Sequence, residues 1–100
     1  MAKGVMAAKN RRVVVLLPQA QQDLDRIRGS LPRIAEEILH KIGLLVDFPE
    51  MGPAMDRVYE GYRQLLCGRY RIVYETVSES RIEIAYVRHC ARHLRLRPVN

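Results

Sequence analysis

The sequence is poor in several things at once. It has no tryptophan and one phenylalanine, and aromatics make up 6% of its 100 residues. The core must therefore rest on aliphatic side chains. Its two cysteines, Cys67 and Cys90, have no close-spaced partner. That excludes a disulfide scaffold, and both are read as reduced thiols. No apolar run approaches the roughly 18 residues that a membrane-spanning helix requires. The longest run near the start, Val13–Leu17, is too short for the core of a signal peptide. The expectation is a cytoplasmic protein with no membrane partner. Internal repeats and low-complexity segments are also missing.

What is present suits one small domain. Hydrophobic residues make up 48% of the chain, enough to exclude wholesale disorder. The formal charge is +6, from 17 Lys plus Arg against 11 Asp plus Glu, and it is unevenly spread. Residues 1–12 carry Lys3, Lys9, Arg11 and Arg12 and no acid. Residues 88–100 carry Arg88, Arg92, Arg95 and Arg97 and no acid, which leaves −2 on residues 13–87. Basic ends on a mildly acidic body point to a polyanionic or acidic protein partner. Residues 1–12 are read as a flexible basic segment, frayed from Met1 to about Lys9. Met6 is an alternative start. Residues 13–100 are read as the domain.

Residues 12–17, Arg-Val-Val-Val-Leu-Leu, are β-branched-rich and stop at Pro18, as a short buried strand does. Ala20 to Arg28 has Leu24 and Ile27 at helical spacing and acids, Asp23 and Asp25, in its early turns. Gly29-Ser30 ends that helix. Ser30 is placed to cap a second helix with Pro32 in its first turn. There Ile34, Ile38 and Ile42 recur every four residues, beside Ala35, Leu39, Leu45 and Val46. That is a wide apolar stripe, a core face. The short link between the helices predicts an antiparallel hairpin.

Phe48-Pro49-Glu50-Met51-Gly52-Pro53 is rich in helix and strand breakers and reads as a turn. Tyr62 to Cys67 and Arg69 to Val77 read as strands about Gly68. Arg81 to Val87 alternates polar and apolar residues cleanly, as a half-buried strand does. Three strands with short links make an antiparallel meander. The fold class is α+β: a small twisted antiparallel sheet, one N-terminal strand and then the meander, packed on a helical hairpin. The hairpin covers one face of the sheet and leaves the other partly open.

In that order, five segments resemble the RelE/ParE superfamily of type II toxin–antitoxin toxins. They are Leu17-Pro18-Gln19-Ala20-Gln21-Gln22-Asp23-Leu24, Phe48-Pro49-Glu50-Met51-Gly52, Gly61-Tyr62-Arg63-Gln64-Leu65, Gly68-Arg69-Tyr70-Arg71-Ile72-Val73-Tyr74, and Ile82 to Arg92 with its His-x-x-Arg. The resemblance covers about residues 13–93. It implies a growth-inhibiting toxin neutralised by a cognate acidic antitoxin, acting without a cofactor. It also implies one of two targets: ribosome-associated mRNA for RelE-like members, or DNA gyrase for ParE-like members, which need no nuclease site.

RNA cleavage needs a group to take a proton, a group to give one, and positive charge on the phosphate. The resemblance places Arg63 and Arg71 as the cations on the central strands. It places His89, a residue type suited to moving protons near neutral pH, as the general acid or base, and Tyr86 as a weaker proton donor. Arg88, Arg92 and Arg95 would join Arg63 and Arg71 on an RNA- or target-binding surface. The second cation of Lys-dependent RelE members falls near Leu65, which cannot do that work. His89-Cys90-Ala91-Arg92 also fits the ParE-like closing motif. The missing cation, the opening motif and the Phe-Pro-x-x-Gly turn tilt the reading towards a ParE-like gyrase poison. An endoribonuclease using His89, Arg71 and Arg63 is the alternative, and a non-toxic binding module on the same fold is the third.

Plainer roles compete for the same residues. Arg71 can pair with Glu75 or Glu83 across the sheet. Tyr62, Tyr70, Tyr74 and Tyr86 suit sheet packing with polar tips. His89 and His93 lack an evident third ligand, so no metal site is expected.

Overall fold

The structure, a computed structural model, describes residues 12–91 and the backbone of residues 5–7. The chain runs β1 (Val5–Ala7), β2 (Val13–Leu16), α1 (Pro18–Ser30), α2 (Pro32–Leu44), a 3-10 turn (Arg57–Tyr59), β3 (Tyr62–Cys67), β4 (Tyr70–Ser78) and β5 (Arg81–His89). Every strand of the expected meander is present, and the hairpin lies between β2 and the meander, as its sequence position requires.

The helices start earlier than their periodicity suggests. α1 begins at Pro18, whose fixed φ and missing N–H suit the first helical position. Asp23 and Asp25 therefore lie beyond the first turn. Ser30 does not cap α2. It ends α1, and Leu31 occupies the cap position with no side-chain hydrogen bond. Pro32 again opens the helix.

The sheet order is β1-β2-β5-β4-β3. β3–β4 and β4–β5 pair antiparallel, while β2 joins β5 in parallel, Val14 against Ile82 and Leu16 against Ile84. A parallel pair needs a long crossover, and here the hairpin and two strands supply it. Val5–Ala7 forms an edge strand antiparallel to β2, and the rest of the segment read as flexible, up to residue 11, lies outside the described residues. The Val13–Leu16 strand otherwise has one open ladder edge, and a three-residue partner satisfies it.

Register decides which side chains meet the hairpin. Val14, Leu65, Ile72, Tyr74, Ile82, Ile84 and Val87 turn towards it and are buried with Ala20, Leu24, Ile27, Ala35, Ile38, Ile42 and Leu45. The isoleucine stripe of α2 is this core: Ile38 and Ile42 are fully buried, and Ile34 and Leu39 pack against it. Each fully buried isoleucine contributes about 1.5–3 kcal/mol. A register shift between Val73 and Tyr74 leaves Ala85 without a partner on β4. This bulge lets both Ile84 and Val87 face the core despite their odd spacing.

Gly52 is where the post-helix turn meets the sheet. A Cβ there would lie 2.6 Å from the Gln64 carbonyl oxygen and 3.0 Å from Tyr74 Cε1. Gly68 takes φ +59° to turn β3 into β4. Among the described residues, no helix is long and apolar enough to cross a membrane.

Candidate functional site

The two central-strand arginines do not share a face. Arg63 pairs in register with Tyr74, and Arg71 with Leu66 and Arg88. Tyr74 belongs to the core, so Arg63 stands on the hairpin side and Arg71 on the opposite side. The expected cluster is therefore divided by the sheet itself.

Arg63 serves the turn. Its Nη1 donates to the Gly52 carbonyl at 2.8 Å and to the Glu50 carbonyl at 3.4 Å. Tyr74 works beside it: its hydroxyl donates to the Pro49 carbonyl at 2.8 Å and accepts the Gly52 N–H at 3.0 Å. Burial raises the Tyr74 phenol, against smaller lowering by the Gly52 N–H and Arg63. Tyr74 is thus a packing residue with a satisfied polar tip.

Arg71 pairs with neither Glu75 nor Glu83. Its Nη1 reaches Gln64 Oε1 and its Nη2 the Cys90 carbonyl, both at 3.4 Å. Its Nε is buried with no hydrogen-bond partner. Glu83 is taken by Arg81 at 2.8 Å. Leu65, where a second cation would be needed, is buried in the core.

His89 pairs in register with Tyr70 and lies edge-on to its ring, centroids 5.2 Å apart at 79°. Its Nδ1 accepts the Ala91 N–H at 3.0 Å. It lines a groove of about 230 Å³ with Asp23, Arg26, Leu31 and Arg88, at the end of β5 and the turn of the hairpin. His89 therefore faces the hairpin, away from Arg71. Tyr86 is on Arg71's side, in register with Val73. Arg92 and Arg95, along with Arg97 and His93, lie outside the described residues.

Arg88 is opposite Arg71 across the ladder, but its guanidinium is drawn elsewhere. Nε donates to Asp23 Oδ2 at 3.1 Å, and Cζ lies 5.0 Å from the centre of the Tyr86 ring. Asp23 was not foreseen as a functional or structural centre. Only 1% exposed, it also accepts the Val87 N–H at 3.0 Å, Gln19 Nε2 at 3.0 Å and Arg26 Nη1 at 3.4 Å. β2 stops pairing with β5 at Ile84, and Asp23 satisfies the β5 backbone beyond that point. The signal was in the sequence: Asp23 occupies a buried-stripe position, three after Ala20 and four before Ile27. A carboxylate there must be paired.

The cysteines are both free. Burial raises the Cys67 thiol, with Lys41 lowering it and Glu37 raising it to smaller extents. Among the described residues, no three His, Cys, Asp or Glu side chains gather as a metal site would require.

Comparison with known proteins places this geometry. The model of the ParE toxin of the type II toxin–antitoxin system parDE matches residues 14–94. The toxin–antitoxin complex RelBE2 from Mycobacterium tuberculosis is similar at 26% identity and TM-score 0.68, over 76% of this chain and 94% of that one. The YoeB/ParE toxin from Agrobacterium tumefaciens shares the fold at 21% identity and TM-score 0.67, over 76% and 95% of the two chains. The YoeB–YefM complex from Staphylococcus aureus does so at 19% identity and TM-score 0.62, over 79% and 97%. No curated protein matches the chain. With four-fifths of its length matched by one family's model and its fold shared with these toxins, the chain belongs to the ParE toxin family of type II toxin–antitoxin systems, within the RelE/ParE superfamily.

Proposed function

We propose that this chain is a growth-inhibiting toxin that acts in the cytoplasm by binding DNA gyrase, and that a cognate acidic antitoxin holds it inactive. The observation that carries the reading is the division of His89, Arg63 and Arg71 between two faces of the sheet. General acid–base cleavage of RNA requires proton-transfer groups and a phosphate clamp around one scissile bond. Here Arg63 is committed to the Gly52 turn and His89 packs on Tyr70. The place of the second cation is a core leucine, Leu65. A toxin that works by binding needs no such convergence. The family match supports the same target class.

The antitoxin follows from the basic ends of the chain and from the similar RelBE2 and YoeB–YefM toxins, which were solved in complexes. Charge complementarity then gives selectivity and a fast on-rate.

Induced expression in a growing bacterium, with translation and the DNA-damage response followed in parallel, tests the target. An early DNA-damage response with translation continuing is expected. An early translation stop with cut mRNA would replace gyrase with the ribosome. Co-expression of the acidic product of an adjacent reading frame is expected to restore growth.

A further inference from the structure

The face of the sheet turned away from the hairpin carries like charges directly opposite one another at two places. Arg71 faces Arg88, and four residues further along β4, Glu75 faces Glu83. Like charges across a ladder destabilise it, so each pair needs compensation. At the cationic end Arg88 is compensated by Asp23, at 3.1 Å. Arg71 has no carboxylate among the described residues, and its buried Nε has no acceptor. At the acidic end Glu83 is held by Arg81 at 2.8 Å, while Glu75 has no cation among the described residues. Between the ends lies Tyr86, in register with a fully buried Val73, with Tyr62, Gln64 and Leu66 on the same face along β3. Leu66 is 55% exposed. The Tyr62 phenol is raised by burial first and then by Glu75, Tyr86 and Glu83, so these groups share one neighbourhood.

We infer that this face is a charge-polarised docking strip for one segment of a partner protein, bearing a carboxylate for Arg71 and a cation for Glu75, with apolar side chains between. Four residues of strand separate the two ends by about 13 Å. An extended segment with acid and base four residues apart matches that span. The acids argue against nucleic acid as the occupant. A phosphate chain that satisfied Arg71 would run onto Glu75 and Glu83. Arg71 would take a carboxylate on the terminal nitrogens of its planar guanidinium, whose present contacts to Gln64 Oε1 and the Cys90 carbonyl are both long at 3.4 Å. The inference rests on the reading that a partner protein masks this toxin, and the strip is the part of the partner's footprint that selects its charge pattern.

The test uses the purified full chain and three synthetic peptides of equal length with the same apolar middle. They carry Glu then Lys, Glu twice, or Lys twice, at positions four apart. A uridine-rich RNA oligonucleotide is the fourth probe, and binding is read by fluorescence anisotropy at low salt. The Glu–Lys peptide is expected to bind about fivefold tighter than either like-charged peptide. Glu75→Lys places a cation opposite Glu83, and is expected to move the preference to the Glu–Glu peptide. Arg71→Gln, with folding checked by circular dichroism, is expected to remove the preference for an acidic end. Equal affinities for the three peptides, a preference that survives Glu75→Lys, or RNA displacing every peptide would overturn the strip. The assay does not involve growth, so such a failure leaves the toxin reading standing. Harmless expression with the peptide preference intact would instead overturn the toxin reading alone.

Discussion

Arg63 and Arg71 stand on adjacent strands with their side chains on opposite faces of one sheet. Register fixes this: Arg63 pairs with the core residue Tyr74, and Arg71 with the exposed Leu66. One arginine braces a turn, and the other reaches Gln64 Oε1 and the Cys90 carbonyl on the far side of the sheet.

His89 tests what that division means for activity. His89→Ala is expected to leave growth inhibition intact, because the histidine faces the hairpin beside Tyr70 and away from Arg71. The measurement is colony formation after induction, with folding confirmed by circular dichroism. A folded variant that no longer inhibits growth would return His89 to a catalytic role.

Asp23 is the buried charge that ties α1 to the end of β5. Asp23→Ala leaves the Val87 N–H and Arg88 Nε without their acceptor. Loss of about 2–4 kcal/mol is expected, below the upper range for a buried pair because Arg88 retains access to water. Asp23→Asn keeps one acceptor oxygen and is expected to cost less. Urea unfolding midpoints of the two variants measure the difference. Equal midpoints for Asp23→Ala and the parent would contradict the assigned role.

The Gly52 turn has no room for a side chain. Gly52→Ala would place its Cβ 2.6 Å from the Gln64 carbonyl oxygen, and a loss of about 1–3 kcal/mol is expected. Tyr74→Phe is expected to cost about 1–3 kcal/mol, because it leaves the buried Gly52 N–H without its hydroxyl acceptor. Thermal melting of both variants checks the pair. Gly29, with nothing within 4 Å of a Cβ, is the control position. Gly29→Ala is expected to be neutral or mildly stabilising.

Stability should fall on the alkaline side. Cys67, Tyr62 and Tyr74 all have folded pKa values raised above their ordinary 9.0 and 10.0. A group raised on folding keeps its proton in the native state while the unfolded state loses it. Its contribution is thus present below the ordinary value and lost as pH rises through the folded one. Unfolding free energy is expected to hold through neutral pH and decline from about pH 9 upward. Tyr74→Phe should shallow that decline, and an unchanged slope would show that Tyr74 does not contribute to it.

Much of the fold was legible because its periodicities are clean. The isoleucine repeat at 34, 38 and 42 marked the core face of α2, and the alternation from Arg81 to Val87 marked β5. Helix starts were less legible, since Pro18 and Pro32 open helices without the polar caps that usually announce them. The bulge at Ala85 changes strand parity mid-way, and simple alternation does not show that. The site was the least legible part. Residue types at Arg63, Arg71 and His89 suggested one cluster, but whether two strand residues meet depends on which face each takes. Arg63 at an odd step from Arg71's partner, Leu66, falls on the other face. Asp23 was visible only as an acid in an apolar stripe, a pattern whose meaning depends on the β5 edge it meets from across the chain.

The most direct test of the account is a supercoiling assay with purified gyrase, relaxed plasmid and this chain. Loss of supercoiling, with a messenger RNA in a parallel translation reaction left whole, is the result the account predicts. Unimpaired supercoiling together with cleaved messenger RNA would contradict it.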